Sequence, residues 1–122
     1  FTLEPRFKVF GADIQLYRAL GVEKLYYQMG STGTDTDFID MNTWLVSKLM
    51  WEPDLETEGL IDDFLEGYYG PTAAPHIKDH LREMETASLT ARGHALAASN
   101  ANWMRFSNMV VSHNALKLAM NA

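Results

Sequence analysis

The 122 residues contain no cysteine, which excludes a disulfide framework and thiolate chemistry and leaves the redox compartment unset, because many secreted proteins also lack cystines. No apolar run approaches the roughly 20 residues that a membrane span requires. Clustered Lys and Arg are missing too: the formal charge is −6 and the pI about 5.0, a balance that argues against a nucleic-acid surface, which needs bases to neutralise phosphates. Acids are absent from 93–122, where Arg105 and Lys117 are the only Lys or Arg. Neither an initiator Met nor the charged-then-apolar layout of a signal peptide opens the chain at "FTLEPRFKVF", so a soluble piece of a longer protein is expected.

What is present can close one modest core, since 47% of the residues are hydrophobic and three Trp, five Tyr and six Phe are among them. Charge is segregated: residues 35–66 carry ten acids against Lys48 alone. The plain reading is a solvated face of two helices. A calcium loop is the sharper alternative, but Asp35, Asp37 and Asp40 lack the glycine and terminal Glu of an EF-hand.

The spacing of Ile14, Leu16, Tyr17 and Leu20 predicts a short helix over 12–20, closed by Gly21. "VEKLYYQM", residues 22–29, is rich in β-branched and aromatic residues between Gly21 and Gly30 and reads as a strand, which must find partner strands outside this chain or in another copy. "GSTGTDTDF", 30–38, has the composition of a loop. A helix capped by Asp40 should follow, with Met41, Trp44, Leu45, Leu49 and Trp51 at helical spacing until Pro53 stops it. Residues 57–69 form a further amphipathic pattern ending at Gly70.

"FLEGYYGPTAAPHI", 64–77, then reads as a helix-to-helix corner: Gly70 ends one helix, Pro71 opens the next, and Tyr68 and Tyr69 supply apolar area to wedge the turn. The next helix runs from Thr72 or Ala73 to near Thr90, and a last one from about Ala101 to Ala119 carries Trp103, Phe106, Val110 and Leu116. His76 and His80 stand at metal-ligand spacing, but without a His-Glu-x-x-His pattern they read as surface residues. His94 and His113 have no companion at a readable spacing, and "GSTG" is too far from a Lys to cradle phosphate. No metal and no cofactor are expected. The pairs Tyr26 with Tyr27 and Tyr68 with Tyr69 can stack on sugar rings or be buried, and burial is the default.

The phrase "WLVSKLMWEPDLETEGLIDDFLEGYYGPTAAPHIKDHLREME", 44–85, resembles the segment after the last barrel strand in a bacterial carbohydrate-active family catalogued as domain of unknown function 4838. The matching positions are Lys48, Leu49, Trp51, Glu52, Pro53, Asp54, Phe64, Tyr68, Tyr69, Gly70, Ala73 and Ala74. Upstream, "DIQLYRALGVEKLYYQMG" resembles the family's last helix-to-strand unit, so the resemblance spans about 5–86.

That family is similar to alpha-glucuronidases and hexosaminidases. The resemblance implies a mainly α chain: 1–40 would be the end of a (β/α)₈-type barrel, and 41–122 a helical bundle or hairpin extension. An extracellular or periplasmic protein is implied as well. Barrel enzymes place their chemistry on the loops after the strands, which makes Tyr27, Gln28, Asp35 and Asp37 the candidates for touching carbohydrate. A hydrolase needs two carboxylates about 5 Å apart for retention or about 6.5–9.5 Å for inversion, and no residue of this chain is assigned a catalytic role. Two functions stay open: structural support with sugar contacts in a glycoside-hydrolase-like protein, and a small helical protein-interaction module. The unpaired strand also predicts self-association.

Overall fold

The computed structural model describes residues 7–27, 38–90 and 105–122, in two compact units, Phe1–Ile61 and Asp62–Ala122. Five α-helices account for most of the described residues, and no strand occurs among them.

In the first unit, α1 spans Val9–Ala19, starting three residues before the expected helix. It buries Phe10, Gly11 and Ile14. Its end is set by Gly21, whose φ of 73° is the left-handed conformation that glycine adopts without Cβ strain. The amide of Gly21 then donates to the Arg18 carbonyl and that of Val22 to the Tyr17 carbonyl, each at 3.0 Å, the paired bonds of a Schellman closure. Gly11 is required for a different reason: a Cβ there would run into Thr57 Oγ1.

The expected strand is not formed. Residues 22–27 run as irregular chain, and 28–30 lie outside the described residues, as do the loop residues 31–37. β-structure depends on a neighbour that takes up its backbone groups, and no described segment lies alongside. The segment is nevertheless anchored, because Leu25 packs against the cluster of Phe10, Ile14, Val46 and Leu49, together with Leu55 and Leu60.

α2 spans Ile39–Trp51 and buries Met41, Leu45, Val46 and Leu49. Asp40 is not its cap. That position belongs to Phe38, which is left-handed at φ 57° and ψ 29° and has no side-chain capping bond; its carbonyl accepts from the Asn42 amide at 2.9 Å. Asp40 sits in the first turn, where a negative charge complements the helix dipole. Trp51 closes α2 but points into solvent at 88% exposure. Pro53 then forces Glu52 out of helical geometry, to φ −136° and ψ 89°.

A turn follows, closed by the Leu55 amide donating to the Glu52 carbonyl at 3.2 Å. It is held on α1 by two side chains: Gln15 Nε2 donates to the Pro53 carbonyl at 3.0 Å and Arg18 to Asp54 at 2.8 Å. α3, Thr57–Tyr69, begins on Glu56, whose carboxylate accepts from the amides of Glu58 at 3.1 Å and Gly59 at 2.6 Å. Glutamate thereby takes the role that shorter polar side chains usually fill.

The second unit contains the rest of α3, the corner and a helical hairpin. Gly70 has φ 84° and stops α3, as its position in the sequence predicts, and its carbonyl receives the Ala74 amide at 3.0 Å. The corner is not wedged by buried tyrosines. Tyr68 and Tyr69 are both exposed; Phe64 stacks on Tyr68 with centroids 5.1 Å apart, and Tyr69 meets Tyr68 edge-on at 4.9 Å. At the last turn of a helix these rings lie beyond the buried pair Ile61 and Leu65.

α4, Ala74–Thr90, buries Ala74, Ile77, His80, Leu81, Met84 and Ala87. α5 spans Phe106–Met120; residues 101–104 of the expected helix, with Trp103, lie outside the described residues. The two pack antiparallel, because His80 meets Ser112 while Glu83, further along α4, meets Asn108, earlier on α5. Unusually, α5 buries Ser112 alone and leaves Phe106, Met109, Val110, Val111, Leu118 and Met120 exposed.

Candidate functional site

The face of the first unit at the end of the 22–27 segment is built from aromatic side chains. Tyr27 follows Leu25 by two residues, so in extended chain both turn to the same side, and the Tyr27 ring stands edge-on to Phe10 with centroids 5.6 Å apart at 89°. Phe10 is buried, whereas Tyr27 keeps 37% of its surface open. The ring is therefore held against Phe10 of α1 with part of its surface open.

Phe38, at the start of α2, packs edge-on against buried Phe7, 6.2 Å and 78° apart. The left-handed geometry of Phe38 is sparsely populated by residues with a Cβ, a strain held in place by its surroundings. One turn on, Asn42 Oδ1 is buried without a hydrogen-bond partner.

Of the four residues that the sequence nominates, the structure places Tyr27; Gln28, Asp35 and Asp37 lie outside the described residues. Chemically, an aromatic side chain with part of its surface open suits contact with a polyhydroxylated ligand. No group of three or more His, Asp or Glu side chains that could hold a metal ion occurs among the described residues.

The histidines correct the surface reading. His80 and Ser112 are each only 6% exposed, and Nδ1 of His80 lies 2.5 Å from Ser112 Oγ. A serine paired with an imidazole is the beginning of a nucleophilic arrangement, but burial between two helices denies it a substrate, and its role is to satisfy polar groups inside the hairpin. A signal for this was present in the sequence: His80 falls on the stripe of Ile77, Leu81, Met84 and Ala87 at three- and four-residue steps. His76 is half-buried on α4, and His113 is exposed.

The residues that carry the resemblance mostly build structure. Pro53 and Asp54 form the turn clamped by Gln15 and Arg18, Leu49 belongs to the core, and Gly70 ends α3. In comparison with known proteins, the family model described as domain of unknown function (DUF4838) matches residues 1–82. No curated protein and no solved structure matches the chain significantly.

Proposed function

The chain belongs to the domain of unknown function (DUF4838) family, and from that premise we propose that it is the C-terminal part of a carbohydrate-active, glycoside-hydrolase-like protein, chiefly supporting a barrel and touching sugar through Tyr27 and the residues after it. One observation carries this reading. The 22–27 segment is seated on α1 through Leu25 and Tyr27 while Tyr26 stands 85% exposed, an apolar residue on each side, as in a strand covered on both faces of a parallel sheet. In that arrangement Tyr27 lies toward the C-terminal end of the strand, where barrel enzymes bind their substrates. Gln28, Asp35 and Asp37 complete the proposed contact.

The test is a titration of the 122-residue chain with glucuronides and N-acetylhexosaminides, observed by NMR. Shifts centred on Tyr27 and lost in Tyr27→Ala are expected, without hydrolysis of the corresponding aryl glycosides. Absence of any sugar-dependent shift would overturn the contact; turnover abolished by a substitution in this chain would overturn the supporting role.

The second reading, a helical interaction module, is favoured by the apolar residues that α5 leaves exposed, Phe106, Met109 and Val110 among them. Loss of binding to a protein partner on Val110→Lys, with sugar shifts absent, would establish it in place of the first.

A further inference from the structure

The backbone of residues 23–26 has an unfilled requirement. Val22 donates its amide to the Tyr17 carbonyl, and then Glu23, Lys24, Leu25 and Tyr26 make no hydrogen bond among the described residues. Leu25 is held on the core beneath, so the segment is fixed rather than trailing. Lys24 and Tyr26 turn to the open side, and both are exposed. Leu16 and Leu20 of α1, just before the segment, are exposed as well. A fixed run of unpaired amides and carbonyls with apolar residues on its open side is a template for an added strand.

The sequence of the segment selects the occupant. Two copies pairing antiparallel about a two-fold axis place residues of the same face opposite one another, so the axis passes through a single position. Centring on Lys24 sets two ammonium groups directly opposite, which destabilises a strand pair. Centring on Leu25 sets leucine against leucine on the core side and, twice over, Lys24 against Tyr26 of the second copy on the open side, an ammonium beside an aromatic ring. Glu23 then faces Tyr27 of the second copy.

We propose that residues 23–27 pair antiparallel with the same residues of a second copy, in the register centred on Leu25. This rests on the sheet-forming character that the proposed function also gives the segment and on no property of a sugar site, and it concerns the 122-residue chain by itself, because in a barrel neighbouring strands would fill the same edges. A ribbon of this length buries less than the roughly 1,000 Å² of a stable interface, so the dimer is weak and concentration-dependent.

Sedimentation velocity on the full 122-residue chain over a concentration series tests it. The sedimentation coefficient of the parent rises with concentration. Tyr26→Lys places lysine opposite Lys24 of the second copy and holds the chain monomeric, whereas Tyr26→Glu places a carboxylate there and preserves the rise, less so at high salt. With Tyr26 85% exposed, neither substitution disturbs the core, and circular dichroism of both variants should match the parent. A parent that stays monomeric at every concentration overturns the pairing, and so does loss of association in both variants alike, which would indicate unspecific apolar adhesion. A monomeric parent that still shows sugar shifts at Tyr27 would dispose of the pairing and leave the proposed function standing.

Discussion

Gly70 and Glu56 each hold an end of α3 by a single feature of one residue. At Gly70 the backbone is left-handed with φ 84°, and no atom lies near enough to obstruct a Cβ, so the cost of a side chain there is conformational. Gly70→Val should lower stability by about 1 kcal/mol or more, read as a lower melting temperature; equal melting temperatures would remove the C-terminal argument. Glu56 works through its carboxylate, which takes two of the first amides of α3. Glu56→Ala should cost about 1 kcal/mol, and Glu56→Ser, an ordinary N-cap, should recover most of it. Urea denaturation of the three proteins decides the matter, and an alanine variant as stable as the parent would show that water replaces the cap.

Between helices, the informative contact is the one in the α4–α5 hairpin. Ser112→Ala leaves the buried His80 ring without its hydroxyl partner and should destabilise by about 1–3 kcal/mol. The double variant His80→Leu/Ser112→Ala, which removes both polar groups, should be less destabilised than the two single variants together. Additive losses in this double-mutant cycle would mean that the pair contributes no coupling.

The same scale shows what the sequence made legible. α3 is written in it to the residue, because apolar periodicity and Gly70 agree on its limits. The cap of α2 is not legible in this way: Asp40 is a favoured capping type, whereas the chain places left-handed Phe38 there, packed on Phe7, a choice invisible to propensity. The strand failed for a physical reason of another kind: "VEKLYYQM" has β composition, but a ladder is a property of two segments. Of the candidate site, the aromatic content was legible and its geometry was not, since the support of Tyr27 by Phe10 joins residues 17 positions apart in sequence.

Across the whole molecule, apolar side chains divide into those that hold a unit together and those that only face water. Leu49 is fully buried in the cluster with Phe10, Ile14 and Val46; Trp51, two positions on, is almost wholly exposed. Leu49→Ala should therefore cost about 2–5 kcal/mol, and Trp51→Ala should stay within about 0.5 kcal/mol of the parent. A comparable loss for Trp51→Ala in thermal unfolding would show that its ring is covered in solution. The acids divide similarly. Asp40, Glu52, Asp54, Glu56, Asp63 and Glu66 are all exposed, so most of the acidic middle is a solvated face, as its charge pattern predicts.

The clamp of Gln15 and Arg18 on the Pro53–Asp54 turn also sets an order of events during synthesis. Arg18 and Asp54 are 36 residues apart, and at about 5–20 residues per second the ribosome takes roughly 2 to 7 s to deliver the second after the first. Throughout that interval the nascent α1 has Phe10 and Ile14 but neither Val46 nor Leu49 to pack against them. Only when the turn emerges can the first unit close.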